Sequence, residues 1–329
     1  LMQAHTREPV KTFAMGSDDE LFDESDQAAA VAAHLGTDHV KLHCTGNDCL
    51  DVVDTLAEHY DEPFADSSQI PACLLSRLTR EHVTVALSGD GGDEVCGGYR
   101  RYFQATPLWQ RWSVLPRPAR RGVAAGLRLG TPLLQRLQRV APACLPRAAR
   151  TRTADEITDK FARVLNAPSQ PALYRDLVSL CREPGALMQH PGEYDVLDHR
   201  QQAVAELNDD TRRMMALDLV MYHPDDILAK VDRAAMAVAL EVRVPYVDPE
   251  VVAFAARLPT SYLVGAGQGK LILRRILDRH LPSALTQHPK QGFAIPLPRW
   301  LRHELKDWAA DLLAPDRLRR QGYLDADRV

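Results

Sequence analysis

The chain has 329 residues, 45% of them hydrophobic, and a formal net charge of -4. That length holds one large domain or two medium ones with a sizeable core, and a mildly acidic chain without a basic tract gives no footing for nucleic acid. No apolar run approaches the length of a membrane span, the N-terminus does not read as a signal peptide, and six scattered cysteines without metal-ligand spacing read as reduced cytosolic thiols.

Residues 1–5 read as the last turns of a helix and residues 321–329 stop in mid-pattern, so the chain reads as a piece of a longer protein. Residues 10–15 (VKTFAM) have the apolar character of a strand and lead into a loop at 16–19. Residues 24–35 are alanine-rich and helical, with Gly36 as the C-terminal stop. A strand at 39–44, helices at 47–60 and 71–82, and a strand at 83–87 follow. The last of these is short, apolar and β-branched, which predicts a strand buried on both faces. Strands alternating with helices predict parallel βαβ units, so residues 1–104 form the α/β part. Residues 105–329 read as mainly helical. Residues 108–152 form helices joined by proline turns, with an arginine-rich solvated face, and 154–191 continue in the same way. Further helices are expected at 208–222, 225–240, 249–258, 270–280 and 298–313, from apolar residues at three- and four-residue spacing.

The strand at 83–87 runs straight into Ser-Gly-Asp-Gly-Gly-Asp-Glu at 88–94. The carboxyl ends of strands are where open α/β sheets bind ligands. Glycines 89, 91 and 92 free the backbone for positive φ, and Asp90, Asp93 and Glu94 suit a hard cation such as Mg2+; an ordinary acidic turn is the alternative. Within residues 226–248, Lys230 and Arg233 share a helix face, and Glu241 and Arg243 alternate with Val242 and Val244. These charges form either a buried salt-bridge network tying helix to loop or a cluster facing the pocket of Asp90. Lys270 opens a helix, where the macrodipole disfavours a cation; it is either functional or simply solvated. Residues 289–296 (PKQGFAIP), with Lys290 and Phe293, are a surface connection or a cover over the site. Asp66, Ser67, Ser68 and Gln69 offer polar groups ahead of a helix; simple N-capping by Ser67 or Ser68 is the alternative.

TFAMG at 12–16, DEPFADSS at 61–68, LSGDGGDEVCGGY at 87–99, KVDRAAMAVALEVRVPYVD at 230–248, GKLILR at 269–274 and PKQGFAIP at 289–296 span nearly the whole chain. In this order they resemble the synthetase domain of glutamine-dependent asparagine synthetases of the bacterial B type. The resemblance implies a PP-loop ATP pyrophosphatase fold, a parallel-sheet α/β domain with a large helical continuation. It implies a cytoplasmic ligase that uses ATP and Mg2+ to activate aspartate as an acyl-adenylate, and then amidates it with glutamine-derived ammonia. Its partner would be an N-terminal glutaminase domain of the same polypeptide, and a homodimer is possible.

Carried over by position, the resemblance sets Met15 against adenine through its backbone and Ser88 and Gly89 on the nucleotide. Asp93 serves the Mg2+-pyrophosphate and Lys270 the adenylation transition state. Asp90 stands where many members have glutamate, as the group that handles the ammonia proton or orients the intermediate. Glu94, Glu241, Arg243 and Lys290 form a supporting layer. The family's SGGxDS loop and its glutaminase domain do not occur in this sequence, so the 329 residues alone are expected to be inactive. Two rivals remain at this stage. One is a relative acting on another carboxylate, such as a β-lactam synthetase, although such relatives tend to place tyrosine where Asp90 stands. The other is a non-catalytic nucleotide-binding homologue.

Overall fold

The computed structural model describes residues 1–17, 23–140, 153–181, 183–190, 196–286 and 297–329. It is a mostly helical α/β structure with two small parallel sheets. Strand β1 (Lys11–Ser17) pairs in parallel with β2 (Asp38–Cys44), from Lys11 opposite Asp38 to Ser17 opposite Cys44. Helix α1 (Ser25–Leu35) makes the crossover and stops where Gly36 takes φ 70, its N–H donating to Ala32 and Ala33 carbonyls, the stop the sequence signalled. Helix α2 (Gly46–Tyr60) opens on a reciprocal cap. The Thr45 hydroxyl accepts from the Asp48 N–H, and the Asp48 carboxylate accepts from the Thr45 N–H.

Beneath this sheet, Cys44, Cys49, Val52 and Ile70 pack with Trp300 and Leu305, which arrive from the far end of the chain. Trp300 is fully buried, and truncating such a side chain costs about 3–5 kcal/mol. Helix α3 (Gln69–His82) follows, and its preceding Ser68 makes no side-chain cap. Capping by Ser68 is therefore not what forms, because its hydroxyl donates to Asp66 at 2.8 Å and meets the Lys230 ammonium at 2.7 Å.

The second sheet pairs β3 (Val85–Leu87) in parallel with β4 (Glu241–Arg243), Val85 opposite Glu241 and Leu87 opposite Arg243. The mainly helical part thus supplies a strand that its sequence pattern did not announce. Nor is β3 buried on both faces, since Val85 is 41% and Leu87 56% exposed. Alternation places these two side chains on one face, which no layer of the described residues covers.

Residues 210–236 form one continuous helix rather than two. Its middle, Asp218–Leu228, is π-helical and contains Pro224. The wider turn accommodates the proline ring that would break an α-helix, so the expected boundary before residue 225 is absent. This helix packs Met214, Met215 and Leu217 into a core with Tyr102, Leu173 and Leu263. Among the described residues, five cysteines are free and no helix is long and apolar enough to cross a membrane.

Candidate active site

The loop after β3 is fastened at its first residue, where the Ser88 N–H donates to the Arg243 carbonyl on β4 at 2.9 Å. The Ser88 hydroxyl donates to Asp90 Oδ2, and the Asp90 N–H donates back to Ser88 Oγ at 3.3 Å. Of the three glycines expected to need positive φ, only Gly91 has it, at 79. A Cβ at Gly91 would stand 2.7 Å from Val247, whereas Gly89 has open space around it. Helix α4 (Gly92–Cys96) then presents Asp93 and Glu94 in its first turn.

Asp93 meets Lys270, whose Nζ lies 3.1 Å from Asp93 Oδ2. Lys270 caps the Leu271–Leu277 helix in the left-handed conformation, φ 57 and ψ 35. That geometry is costly for a residue with a side chain, and where it occurs it marks positions fixed by their surroundings. Those surroundings are glycines and one arginine. A Cβ at Gly269 would lie 2.2 Å from the Gly97 carbonyl oxygen, and one at Gly98 would lie 1.8 Å from Asp93 Oδ1. Arg274 donates from Nε to the Gly269 carbonyl at 3.1 Å. A cavity of about 640 Å³ opens here, lined by Thr12, Ala14, Gln27, Tyr246, Lys270 and Arg274 among others. Its size suits a small-molecule ligand.

Glu94, expected as a cation ligand and supporting residue exposed to the site, is 1% exposed and points into the protein. Tyr99 donates its hydroxyl to Glu94 Oε1 at 2.7 Å, and His223 Nδ1 stands 3.5 Å from the same oxygen. Burial pushes this carboxyl up, but His223 and the Tyr99 hydrogen bond outweigh it and hold the group below the usual glutamate range. Sequence reasoning missed His223, which carried no signal beyond its place beside Pro224.

Glu241 and Arg243 do alternate to one side, but they pair with each other at 2.7 Å with more than half of each side chain exposed. Neither of the two expected settings for them, a buried network or a cluster facing Asp90, is what forms, because the face they share lies open. The buried network exists one helix earlier. Lys230 Nζ meets Asp66 Oδ2 at 2.6 Å and its carbonyl accepts the Tyr60 hydroxyl at 3.1 Å, while Arg233 pairs with Asp61 at 3.0 Å outside it, on the exposed side. Met15 sits on β1 opposite Leu42, its side chain packed on the cluster of Cys44 and Val52. Lys290 lies outside the described residues.

The structure therefore brings Ser88, Asp90, Asp93 and Lys270 to one end of β3. A carboxylate–ammonium pair beside a cavity, with a hydroxyl on the same loop, can hold a phosphate-bearing ligand.

Residues 1–329 match the sequence model of the asparagine synthase family throughout. The chain is 32% identical over 301 residues to a putative glutamine-hydrolysing asparagine synthetase of Mycobacterium bovis, covering 91% of this chain and 43% of that protein. It is 28% identical over 329 residues to glutamine-hydrolysing asparagine synthetase 1 of Bacillus subtilis, covering 97% of this chain and 47% of the relative. A shorter match of 84 residues, 39% identical, covers 24% of this chain and 15% of the glutamine-hydrolysing asparagine synthetase B of Escherichia coli. The chain spans about half the length of the curated relatives it matches. By its sequence from end to end, this chain belongs to the asparagine synthase family.

Proposed function

We propose that this chain is the synthetase portion of a cytoplasmic, glutamine-hydrolysing asparagine synthetase. In the reaction, the aspartate side-chain carboxylate attacks the α-phosphorus of ATP and pyrophosphate leaves. Ammonia released from glutamine by a glutaminase domain then attacks the acyl carbon and displaces AMP, giving asparagine. A carboxylate is a poor acyl donor until its oxygen becomes part of a good leaving group, which is what adenylation supplies. The fold in this reading is of the PP-loop ATP pyrophosphatase kind, with an α/β part at 1–104 and a helical part at 105–329 of the same synthetase domain.

The observation that carries the reading is the Lys270–Asp93 pair, held by a left-handed lysine at the edge of a cavity whose other walls come from β1, α1 and the helix that Lys270 caps. Lys270 would meet the negative charge that grows on the departing pyrophosphate, where a preorganised cation has its largest effect. Ser88 and Gly89 would contact the nucleotide and Met15 the adenine through its backbone. Asp90, hydrogen-bonded to Ser88, would take up the ammonia proton or orient the intermediate. Mg2+ carried on the nucleotide neutralises phosphate charge, and Asp93 is the residue that would hold it. The partly exposed Asp93 carboxylate is a hard oxygen donor of the kind Mg2+ takes, one or two at a time, beside phosphate oxygens.

The test is ATP–pyrophosphate exchange by the full-length protein over a panel of carboxylic acids. Exchange that requires aspartate and collapses in Asp90→Ala and Lys270→Ala is the expected result. Exchange with a different acid would reassign the substrate, and no exchange with any acid would overturn the reading.

A further inference from the structure

Asp93 and Glu94 are neighbours on a helix of five residues, far too short to hold itself by backbone hydrogen bonds. Successive helical residues point about 100° apart, so Asp93 can face Lys270 only while Glu94 faces the interior. Whatever fixes Glu94 therefore fixes the rotation of α4. The Tyr99 hydroxyl does so with a 2.7 Å hydrogen bond, and His223, itself 3% exposed, stands against the same oxygen at 3.5 Å.

Tyr99 is anchored in turn. The Arg101 guanidinium lies 3.9 Å from its ring centroid, and Tyr222 meets the ring edge-on at 5.7 Å. Arg101 is held by the fully buried Asp218 at 2.8 Å, which also accepts the Tyr102 and Tyr174 hydroxyls. His223, Tyr222 and Asp218 all belong to the π-helical segment, so α4 is braced against the body of the helical part. A buried carboxylate is a costly way to fill space, and an apolar side chain would pack there without desolvating a charge. What the carboxylate adds is direction.

We propose that Glu94 is a positioning residue of the adenylating site, acting through Tyr99 and His223 to hold α4 in the rotation that aims Asp93 at Lys270. The inference rests on the functional reading above, and its test separates the two. The full-length protein is prepared as wild type, Glu94→Gln, Tyr99→Phe and, as a stability control remote from the site, Trp112→Ala. Each is treated with limiting acetic anhydride and labelling of Lys270 is followed by peptide mass spectrometry; ATP–pyrophosphate exchange with aspartate is measured in parallel.

Glu94→Gln is expected to label Lys270 several-fold faster than wild type, because the ion pair that shields it loosens. It is also expected to lower kcat for exchange about tenfold, the scale of one lost charged hydrogen bond, with KM for aspartate little changed. Tyr99→Phe moves both readouts the same way by less, and Trp112→Ala moves neither. Lys270 labelling in Glu94→Gln that equals wild type, or that rises equally in Trp112→Ala, overturns the inference. Faster labelling in a protein whose wild type exchanges pyrophosphate with no acid upholds the positioning and removes the functional reading. Unchanged labelling beside aspartate-dependent exchange does the reverse.

Discussion

Lys230 reaches Asp66 at 2.6 Å from inside a continuous helix, and Lys270 reaches Asp93 at 3.1 Å from a left-handed turn. Both pairs join the first hundred residues to the helical part, yet they are built in opposite ways. The Lys230 side chain is 10% exposed and shares its setting with Ser68 and the Tyr60 hydroxyl. Nothing in its backbone is strained, and the pair behaves as a strut. The Lys270 side chain is 32% exposed, opens onto a cavity, and depends on Gly98 and Gly269 for room. The same two residue types thus form a buried strut in one place and a pair at the edge of a cavity in the other.

Removing the lysines should widen this contrast. Lys230→Met leaves Asp66 beside Asp226 without a counter-charge and is expected to destabilise the protein by about 3–5 kcal/mol in urea titration. Lys270→Ala should lower pyrophosphate exchange by about 10²-fold or more while shifting the urea midpoint little, because a partly exposed pair contributes at most about 1 kcal/mol. A Lys270 variant that unfolds as readily as the Lys230 one would break the distinction.

Gly98→Ala tests the crowding. Its methyl group would displace the Asp93 carboxylate, so a loss of about 1–3 kcal/mol together with impaired exchange is expected, from chemical denaturation and kinetics on one preparation.

A smaller effect sharpens the description of the strut. Burial first, and the neighbouring Asp66 charge second, push the Asp226 carboxyl up to about 6 from 3.8, while the Lys230 ammonium holds Asp66 below the usual range against its own burial. The native state therefore keeps a proton on Asp226 that the unfolded chain releases above pH ~4. That contribution is complete at low pH and is lost as pH rises through about 6. Discounted for partial contact with solvent, it is about 1 kcal/mol. Asp226→Asn should flatten the stability profile between pH ~4 and ~7, as followed by thermal unfolding across that range. Lys270→Gly is the least of these changes. It should raise stability by about 0.5 kcal/mol by relieving the left-handed turn, even as exchange is lost.

Much of the first hundred residues was legible because each signal there is local. The alanine-rich run closed by Gly36, the apolar strands and the motif at 88–94 all state their structure within a few residues. The site was legible in part. Asp93 and Lys270 were expected at one place and do meet, although 177 positions separate them by subtraction of their numbers. Glu94 was misread because an acidic motif does not reveal which carboxylate turns inward; that depends on Tyr99 and on His223 of a remote segment. Glu241 and Arg243 looked like a buried pair because their neighbours are apolar, but alternation alone cannot say whether the shared face is covered. The helices expected at 208–222 and 225–240 prove to be one, because π-helical turns carry the chain through Pro224.

The π-helical stretch Asp218–Leu228 sets the phase of everything after it in that helix. Inserting one further helical residue there would turn the downstream face by about 100°. Lys230 would then swing away from Asp66 with no residue of either pair altered. Evolution and engineering alike should find this segment forgiving of substitutions at its exposed positions and intolerant of any change in its length.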